Sequence, residues 1–405
     1  MDALAASQLV EAATRRAPAS LGPRRTTSTH EFYRYPARFT PELARAAIET
    51  FTSPGDLVLD PFVGGGTTIV ESRLLGRIGI GNDLNQLATF VARIKSTVYP
   101  GSVLDAVTKW AESVVPTINI QMIEKPVTQA YASYLRNVEG ADVWRLRRLI
   151  NIAKKKADRS VTPQLREFLR CGILRTSQWA LDMRDNFPSI RVFRDALATN
   201  LLGMVKAARQ YAREVRKMDR LVPTDQNQRT AILTGRAQDL AINGRVLNYG
   251  APKLVLTSPP YPGVYVNYHR WKLQGRLETP MPYWIAQQLD GKGIAYYTMS
   301  ANARGRDDDF GKYFTELEAS FSAVASLCDD DTTVMQVVGF SEPKIQLPLY
   351  LETMGRAGFR EVTFVRCANA KDGRLWRDVP GRRWWTHANG KATSKEAVLF
   401  HRVRG

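Results

Sequence analysis

The sequence predicts an α/β fold with a mostly parallel sheet and a large helical insertion. Two short apolar runs, Leu57–Asp60 and Ile78–Asp83, each end in an acid. Between them lie a glycine cluster, Gly64 to Gly66, and a stretch with helical spacing. A strand, a glycine-rich loop, a helix and a strand ending in Asp open a Rossmann-like α/β unit in this order. Strand patterns then stop and resume only near residue 231.

The other elements follow from apolar spacing and from turn residues. Pro41 begins a helix, since proline is favoured at the first helical position. Short apolar runs bounded by turn residues indicate further strands. The remaining predicted strands are Ala231–Thr234, Lys253–Thr257, Thr333–Val338, Val362–Cys367 and Ala397–Phe400, and the remaining predicted helices are Thr67–Leu75, Tyr313–Leu327 and Leu347–Ala357.

A strong basic excess is the most informative property of the composition. The 405 residues carry 57 Lys and Arg against 39 Asp and Glu, a formal charge of +18. Between Arg136 and Arg220 there are 20 basic and nine acidic residues, so more than half of the basic excess lies in about a fifth of the chain. Such an excess favours binding to a polyanion through phosphate neutralisation. An ordinary basic enzyme is the alternative.

These patterns divide the chain into four parts. Arginines among Ala, Ser, Thr and Pro indicate a flexible basic arm at the start, without a catalytic role. The predicted parts are the arm at 1–28, a first α/β half at 29–99, a basic helical insertion at 100–229 and a second α/β half at 230–405.

Composition also argues against several classes of protein. Three scattered cysteines indicate a reducing compartment, and neither they nor the four isolated histidines have metal-ligand spacing, so no metal site is expected. No apolar run reaches the ~18 residues that span a bilayer, and no secretory signal is recognisable. A cytoplasmic location, in a bacterium the cytoplasm or nucleoid, is expected.

Three motifs resemble one family. Asp60 to Thr68 reads Asp-Pro-Phe-Val-Gly-Gly-Gly-Thr-Thr, and Ser258 to Tyr261 reads Ser-Pro-Pro-Tyr. A third segment, His30 to Pro41, contains Tyr35 and Phe39. These segments are similar to the cofactor motif, the catalytic tetrapeptide and the N-terminal motif of DNA amino-methyltransferases. The resemblance covers 30–95 and 230–405, and it implies a Rossmann-like methyltransferase fold with a seven-stranded, mostly parallel sheet.

The resemblance implies S-adenosyl-L-methionine as cofactor. Glycine lets the loop approach the cofactor closely. Asp60 is then expected near the methionine ammonium, Asp83 at the ribose hydroxyls and Asp239 at the adenine amine. The full set of cofactor-binding residues that we predict is Tyr35, Phe39, Asp60, Pro61, Phe62, Gly64, Gly66, Thr67, Asp83, Leu84, Asp239 and Ser258.

The tetrapeptide suits transfer of a methyl group to an exocyclic amine of a base. Such an amine is a poor nucleophile, so the protein must polarise and align it. The Pro259 carbonyl can accept one amine hydrogen, Ser258 can bond the amine or the adjacent ring nitrogen, and Pro260 fixes the backbone. Tyr261 offers a face for stacking an extruded base. No cysteine is placed as a cytosine C5 enzyme requires.

The substrate is expected to be cytosine N4 in double-stranded DNA. In the resembling family, Ser at the first tetrapeptide position usually accompanies N4-cytosine, and Asp or Asn accompanies N6-adenine. Adenine N6, an RNA base and a catalytically silent DNA-binding protein are the alternatives. The cofactor half here precedes the catalytic half, unlike many N4-cytosine enzymes, so the place of target recognition is not carried over.

Two regions compete for base reading. One is the basic insertion, and the other is the segment Tyr265 to Arg306 after the tetrapeptide; a loop with Arg374, Trp376 and Arg377 adds a third basic surface. A cognate restriction endonuclease is a partner that the resemblance suggests, while the recognition sequence and oligomeric state stay open. The predicted DNA contacts are Arg145, Arg148, Lys154, Lys155, Tyr268, Arg270 and Lys272.

Overall fold

The structure is a computed structural model of the 405-residue chain. It describes residues 3–14, 28–35, 39–121, 129–140, 143–222, 229–262, 270–275, 277–289, 291–292, 294–297, 299, 309–378 and 395–404.

One twisted sheet forms the centre of the fold. In the described residues its strands are β1 (Leu57–Asp60), β2 (Ile78–Asp83), β3 (Thr230–Thr234), β4 (Leu254–Thr257), β7 (Thr333–Gly339), β8 (Phe359–Glu361), β9 (Leu375–Asp378) and β10 (Lys395–Val403), and a separate hairpin contains β5 (Trp271–Leu273) and β6 (Leu277–Thr279).

The strand order confirms the predicted fold class. The order is β3-β2-β1-β4-β7-β10-β8, with β9 as an eighth strand beside β10. Strands β3, β2, β1, β4 and β7 are parallel, and β10 is antiparallel to β7. Four residues of β1 and of β4 are buried in succession, as expected for strands covered on both faces.

Helices cover both faces of this sheet and build the insertion. They are α1 (Ala3–Thr14), α2 (Pro41–Phe51), α3 (Thr67–Leu74), α4 (Gln86–Ser96), α5 (Gly101–Ser113), α6 (Trp144–Asp158), α7 (Pro163–Leu181), α8 (Ile190–Leu221), α9 (Gly244–Leu247), α10 (Met281–Ala286), α11 (Asp309–Ala325) and α12 (Pro343–Arg356).

The start of the chain corrects the predicted flexible arm. Residues Ala3–Thr14 form α1, whose buried side chains Ala6, Leu9 and Ala13 recur every three to four residues. That face joins α2 and the sheet in one apolar cluster, so burial of an amphipathic face holds α1 in place. The rest of the arm up to Thr27 lies outside the described residues.

The insertion and the segment after the tetrapeptide form one packed body. Helices α5 to α8 share a hydrophobic core with β5, α10 and the first turns of α4. The β5 backbone is bonded to the end of α7, since Met183 N donates to Lys272 O over 2.8 Å and Lys272 N donates to Asp182 Oδ1 over 3.0 Å. The described parts of the two regions that compete for base reading are therefore a single unit, which we call the helical body.

The predicted strand Val362–Cys367 is wrong. Strand β8 ends at Glu361, and Val365–Cys367 is a 3₁₀ turn. The same edge of β10 that pairs with β8 through residues 401–403 pairs with β9 through residues 395–398. Strand β9 thus takes the hydrogen-bonding positions that a longer β8 would need.

Across the described ranges, no helix is long and apolar enough to cross a membrane. Within the same ranges, no group of three or more His, Cys, Asp and Glu side chains could hold a metal ion.

Candidate active site

The glycine loop lies at the carboxyl end of β1, where parallel α/β sheets bind ligands. Gly66 has φ +82°, in the left-handed region, and a Cβ there would lie 2.8 Å from Cα of Ala92 on α4. A side chain at this position is therefore excluded by conformation and by space. The loop turns directly into α3, whose first residue is Thr67.

Asp60 ties three elements together beneath this loop. Its Oδ1 accepts from Thr257 Oγ1 at 2.7 Å and from Phe62 N at 3.2 Å, while Oδ2 accepts from Thr68 Oγ1 at 2.6 Å. The residue is only 2% exposed. These donors take up three of the roughly four acceptor positions of the carboxylate, and the expected place of Asp60 near the methionine ammonium, directly or through water, stays a prediction.

Burial also shifts the titration of Asp60. Loss of solvation raises the pKa of Asp60 to about 6, although the hydrogen bonds from Thr68, Thr257 and Phe62 oppose the shift. The three donors are thus what allows a carboxylate at this buried position.

Asp83 fits the role of a ribose acceptor. At the end of β2, its Oδ2 accepts from Gly64 N at 2.9 Å and its Oδ1 from Asn85 N at 2.8 Å. The carboxylate is half-buried, and each oxygen keeps a lone pair for a hydroxyl group. Desolvation raises the pKa of Asp83 to about 6, against those two backbone bonds. The glycine loop and this acid together form one cradle at the carboxyl ends of β1 and β2, and its donors and acceptors fit the predicted cofactor.

Tyrosines from distant segments surround this cradle. Tyr35 lies against the glycine loop, since a Cβ at Gly65 would come within 2.8 Å of Tyr35 Cβ. Asn85 Nδ2 donates to the Tyr35 hydroxyl at 3.2 Å, and Tyr283 of α10 donates to Asn85 Oδ1 at 3.0 Å. Asn85 thus links Tyr35, which lies against the glycine loop, to Tyr283 of the helical body.

The tetrapeptide follows β4, the sheet neighbour of β1. Ser258 Oγ lies 3.0 Å from the Val337 carbonyl oxygen, to which it can donate, and 3.1 Å from Tyr261 Oη. Tyr261 donates its hydroxyl hydrogen to Glu396 Oε1 on β10 at 2.7 Å. The serine and the tyrosine are both half-buried, so each is held by the protein yet open to a ligand on one side.

The two prolines differ in what their carbonyl groups contact. The Pro260 carbonyl accepts from Tyr313 Oη at 2.7 Å. Among the described residues, no donor reaches the Pro259 carbonyl. The Pro259 oxygen therefore keeps the acceptor capacity that an amine hydrogen would use.

The other predicted cofactor residues have varied surroundings. Phe39 is 6% exposed and belongs to the apolar cluster of α1 and α2, so its described contacts are packing contacts. Asp239 is exposed on the turn after β3, and Leu84 is half-buried beside Asp83. Pro61 and Thr67 are buried, and Phe62 packs on Phe321 with ring centroids 6.1 Å apart.

The predicted DNA contacts divide by exposure. Arg145 is exposed and lies over the Trp144 ring at 5.5 Å. Lys154 departs from this expectation: its side chain is 8% exposed and its ammonium group donates to Asp158 at 2.7 Å and to Gln287 at 2.8 Å, so it holds α6 within the helical body. Arg148, Lys155 and Lys272 are half-buried, Arg270 pairs with Glu278 at 3.3 Å, and Tyr268 lies outside the described residues.

Sequence reasoning missed several residues of the site. Glu396, Asn85 and Tyr283 contact it from elements far along the chain. Gly339 is a fourth, because a Cβ there would lie 2.7 Å from Cδ2 and Cε2 of Tyr261. A small residue ending β7 beside the tetrapeptide strand was the one signal in the sequence.

The strand order, the acid-ending strands and the glycine loop define a Rossmann-like methyltransferase fold. Residues 18–90 match the family model described as DNA methylase, which confirms over that segment the resemblance to DNA amino-methyltransferases. This family and this fold imply S-adenosylmethionine as methyl donor.

Two curated relatives match short parts of the chain. It is 32% identical over 75 residues to the Type II methyltransferase M.MjaII of Methanocaldococcus jannaschii and 38% identical over 73 residues to the Type II methyltransferase M.BsoBI of Geobacillus stearothermophilus. Each match spans 18% of this chain and 14% of the relative.

Among solved structures, two of the rRNA methyltransferase aviRa from Streptomyces viridochromogenes align at a TM-score of 0.36. Their identities are 10% and 11%, and the alignments cover 96% and 95% of this chain and 96% of each of those chains.

Proposed function

We propose that this protein transfers a methyl group from S-adenosylmethionine to the exocyclic N4 amine of cytosine in double-stranded DNA. The observation that carries the proposal is the bond from Thr257 to Asp60, which brings the tetrapeptide beside the glycine loop. A methyl donor and an amine held at these two sites would meet at the carboxyl ends of β1 and β4. The bound cofactor supplies an electrophilic methyl group on its sulfonium.

The protein residues then orient the amine. The Pro259 carbonyl accepts one amine hydrogen and Ser258 Oγ accepts the other, which directs the nitrogen lone pair at the methyl group. The ring of Tyr261 stacks on the base after it has left the duplex, and this stacking offsets part of the few kcal/mol that flipping costs. No covalent bond to the protein forms.

The helical body is the proposed DNA-recognition unit. It combines the basic insertion with the segment after the tetrapeptide, and Arg145 is an exposed cation on its surface. Its hydrogen bonds through Tyr283 and Asn85 to Tyr35, which lies against the glycine loop, support this proposal. Arg145 would contact phosphate, and this contact gives affinity without sequence information.

The test is to incubate the purified protein with mixed-sequence DNA and S-adenosylmethionine, digest the DNA to nucleosides and identify the product by mass spectrometry. N4-methylcytosine supports the proposal, while N6-methyladenine keeps the mechanism and overturns the base. Methylation of RNA and of no DNA overturns the substrate. The matched variants are Ser258→Ala with Tyr261→Ala, and full activity in this double variant contradicts the assigned site.

A further inference from the structure

A chain of hydrogen-bonding groups leads from the tetrapeptide into the protein. Ser258 Oγ lies 3.1 Å from Tyr261 Oη, and Tyr261 Oη lies 2.7 Å from Glu396 Oε1. The single hydrogen of Ser258 can point to the Val337 carbonyl or to Tyr261. When it points to Tyr261, Ser258 donates to Tyr261 and Tyr261 donates to Glu396. These two hydrogen bonds form a path that ends at Glu396.

Glu396 is a nearly buried carboxylate that lies beside a cation. Its other oxygen, Oε2, lies 3.2 Å from Arg377 Nε on β9, and the side chains of Glu396 and Arg377 are 9% and 2% exposed. Gly339 of β7 pairs with Glu396 across the sheet and brings no charge. Among the described residues, the titratable neighbours of the path include Arg377 and two further tyrosines, Tyr313 and Tyr350.

Those two tyrosines do not compete for the proton. Tyr313 donates to the Pro260 carbonyl, and Tyr350 lies close enough to Tyr261 and Tyr313 for electrostatic interaction. Burial raises the pKa of both far above neutrality. Each therefore keeps its own hydroxyl hydrogen and does not act as the proton acceptor.

We propose that Glu396 receives the proton that the methylated amine must lose, acting through Tyr261 and Ser258. This inference rests on the proposed function. The nitrogen–carbon bond forms as the carbon–sulfur bond of the donor breaks, and the electron pair of the broken bond stays on sulfur. The methylated nitrogen then has one proton too many. That proton passes to Ser258 Oγ, the serine hydrogen passes to Tyr261 Oη, and the tyrosine hydrogen passes to Glu396 Oε1.

Two variants interrupt the path in different ways. Glu396→Gln keeps an oxygen that accepts from Tyr261 and so preserves the position of the ring, but it cannot take up a proton. Tyr261→Phe keeps the stacking face and removes the hydroxyl relay. General-base assistance contributes roughly 10²–10⁴-fold, so both variants should lower the single-turnover methylation rate roughly 100-fold at saturating cofactor and change how that rate depends on pH.

The matched control is Glu361→Gln, which breaks the pair between Glu361 and Arg374 on the same sheet, at 2.7 Å, and should keep the wild-type rate. Wild-type rates in Glu396→Gln contradict the inference and leave the methyltransferase assignment intact. If the wild-type protein methylates no DNA, the proposed function fails and the inference fails with it.

A second measurement needs neither cofactor nor DNA. In the full-length protein labelled with ¹³Cζ-tyrosine, the Tyr261 resonance is assigned from its loss in Tyr261→Phe. It should shift in Glu396→Gln, because the hydroxyl then donates to an amide oxygen in place of a carboxylate oxygen, and it should stay unchanged in Glu361→Gln. A Tyr261 resonance that is the same in Glu396→Gln and in the wild type overturns the path.

Discussion

Thr257 and Asp60, 197 residues apart in the chain, are joined by a 2.7 Å hydrogen bond at the centre of the candidate site. Thr257 is the last residue of β4 and precedes Ser258, and Asp60 is the last residue of β1 and begins the glycine-loop motif. Because the two strands are parallel neighbours, the bond fixes the position of the tetrapeptide relative to the glycine loop. The same contact thus contributes to stability and to alignment.

Replacing Thr257 with valine should lower both the stability of the protein and its rate of methyl transfer. The isosteric change removes one donor from a buried carboxylate, which should cost about 1.5–3 kcal/mol of unfolding free energy at pH 7.5 and raise the pKa of Asp60 further. Urea unfolding and single-turnover methylation measure the two effects. Thr257→Ser keeps the donor and should retain most of both, and equal losses in the serine and valine variants would show that the methyl group matters instead.

Cofactor affinity should fall in acid because of Asp83. Burial raises the pKa of Asp83 from 3.8 to about 6, and the carboxylate form is the one that accepts from two ribose hydroxyls. Affinity should therefore be constant above pH 6 and weaken about tenfold per pH unit below it. The raised pKa has the opposite effect on the free protein, whose folding gains stability from Asp83 as the pH falls from 6 towards 3.8. Calorimetric titration between pH 5 and 8 tests this.

The control for that pH dependence is Asp83→Asn. This variant should bind the cofactor weakly at every pH and lose the dependence of affinity on pH. Any pH dependence that is left in this variant would come from Asp60, whose pKa is also about 6. A full slope in Asp83→Asn contradicts the assignment.

Much of the fold and part of the site were predictable because their signals are local. The runs that end at Asp60 and Asp83, and the tetrapeptide after β4, are encoded within a few residues each. The predicted strand beyond Glu361 failed for a non-local reason, since β9 occupies the edge of β10. The helix α1 was missed because the arginines at 15, 16, 24 and 25, which all follow it, decided the prediction for residues 1–28, although α1 itself buries three apolar positions.

The remaining site residues depend on contacts that no local pattern reports. Glu396 reaches Tyr261 across 135 residues, and Tyr283 reaches Asn85 across 198. Burial likewise decides the role of Lys154, which looks in the sequence like its basic neighbours on α6 but is paired with Asp158. A charge can be counted from the sequence, but its partner is known only from the packing.

Arg145 and Lys154 should differ in their effect on DNA binding. Arg145→Ala removes an exposed cation and should reduce the slope of log K against log salt by about 1. Lys154→Ala should leave the slope unchanged and lower the unfolding free energy by about 1–3 kcal/mol. The change removes a buried side chain and its bonds to Asp158 and Gln287, which then keep Arg170 as their donor. Fluorescence anisotropy at several salt concentrations and thermal unfolding separate these outcomes, and an equal loss of slope in both variants would contradict the corrected role of Lys154.

Gly339→Ala should impair methyl transfer without impairing cofactor binding. The new Cβ would lie 2.7 Å from two carbons of the Tyr261 ring, so the ring must move and with it the stacking face and the hydroxyl that reaches Glu396. We expect a loss of unfolding free energy of about 1–3 kcal/mol, a markedly slower single turnover and an unchanged cofactor affinity. The control is Gly203→Ala on α8, where a Cβ meets nothing within 4 Å and the helix should gain about 1 kcal/mol. Wild-type turnover in Gly339→Ala would show that the position of the Tyr261 ring does not limit the reaction.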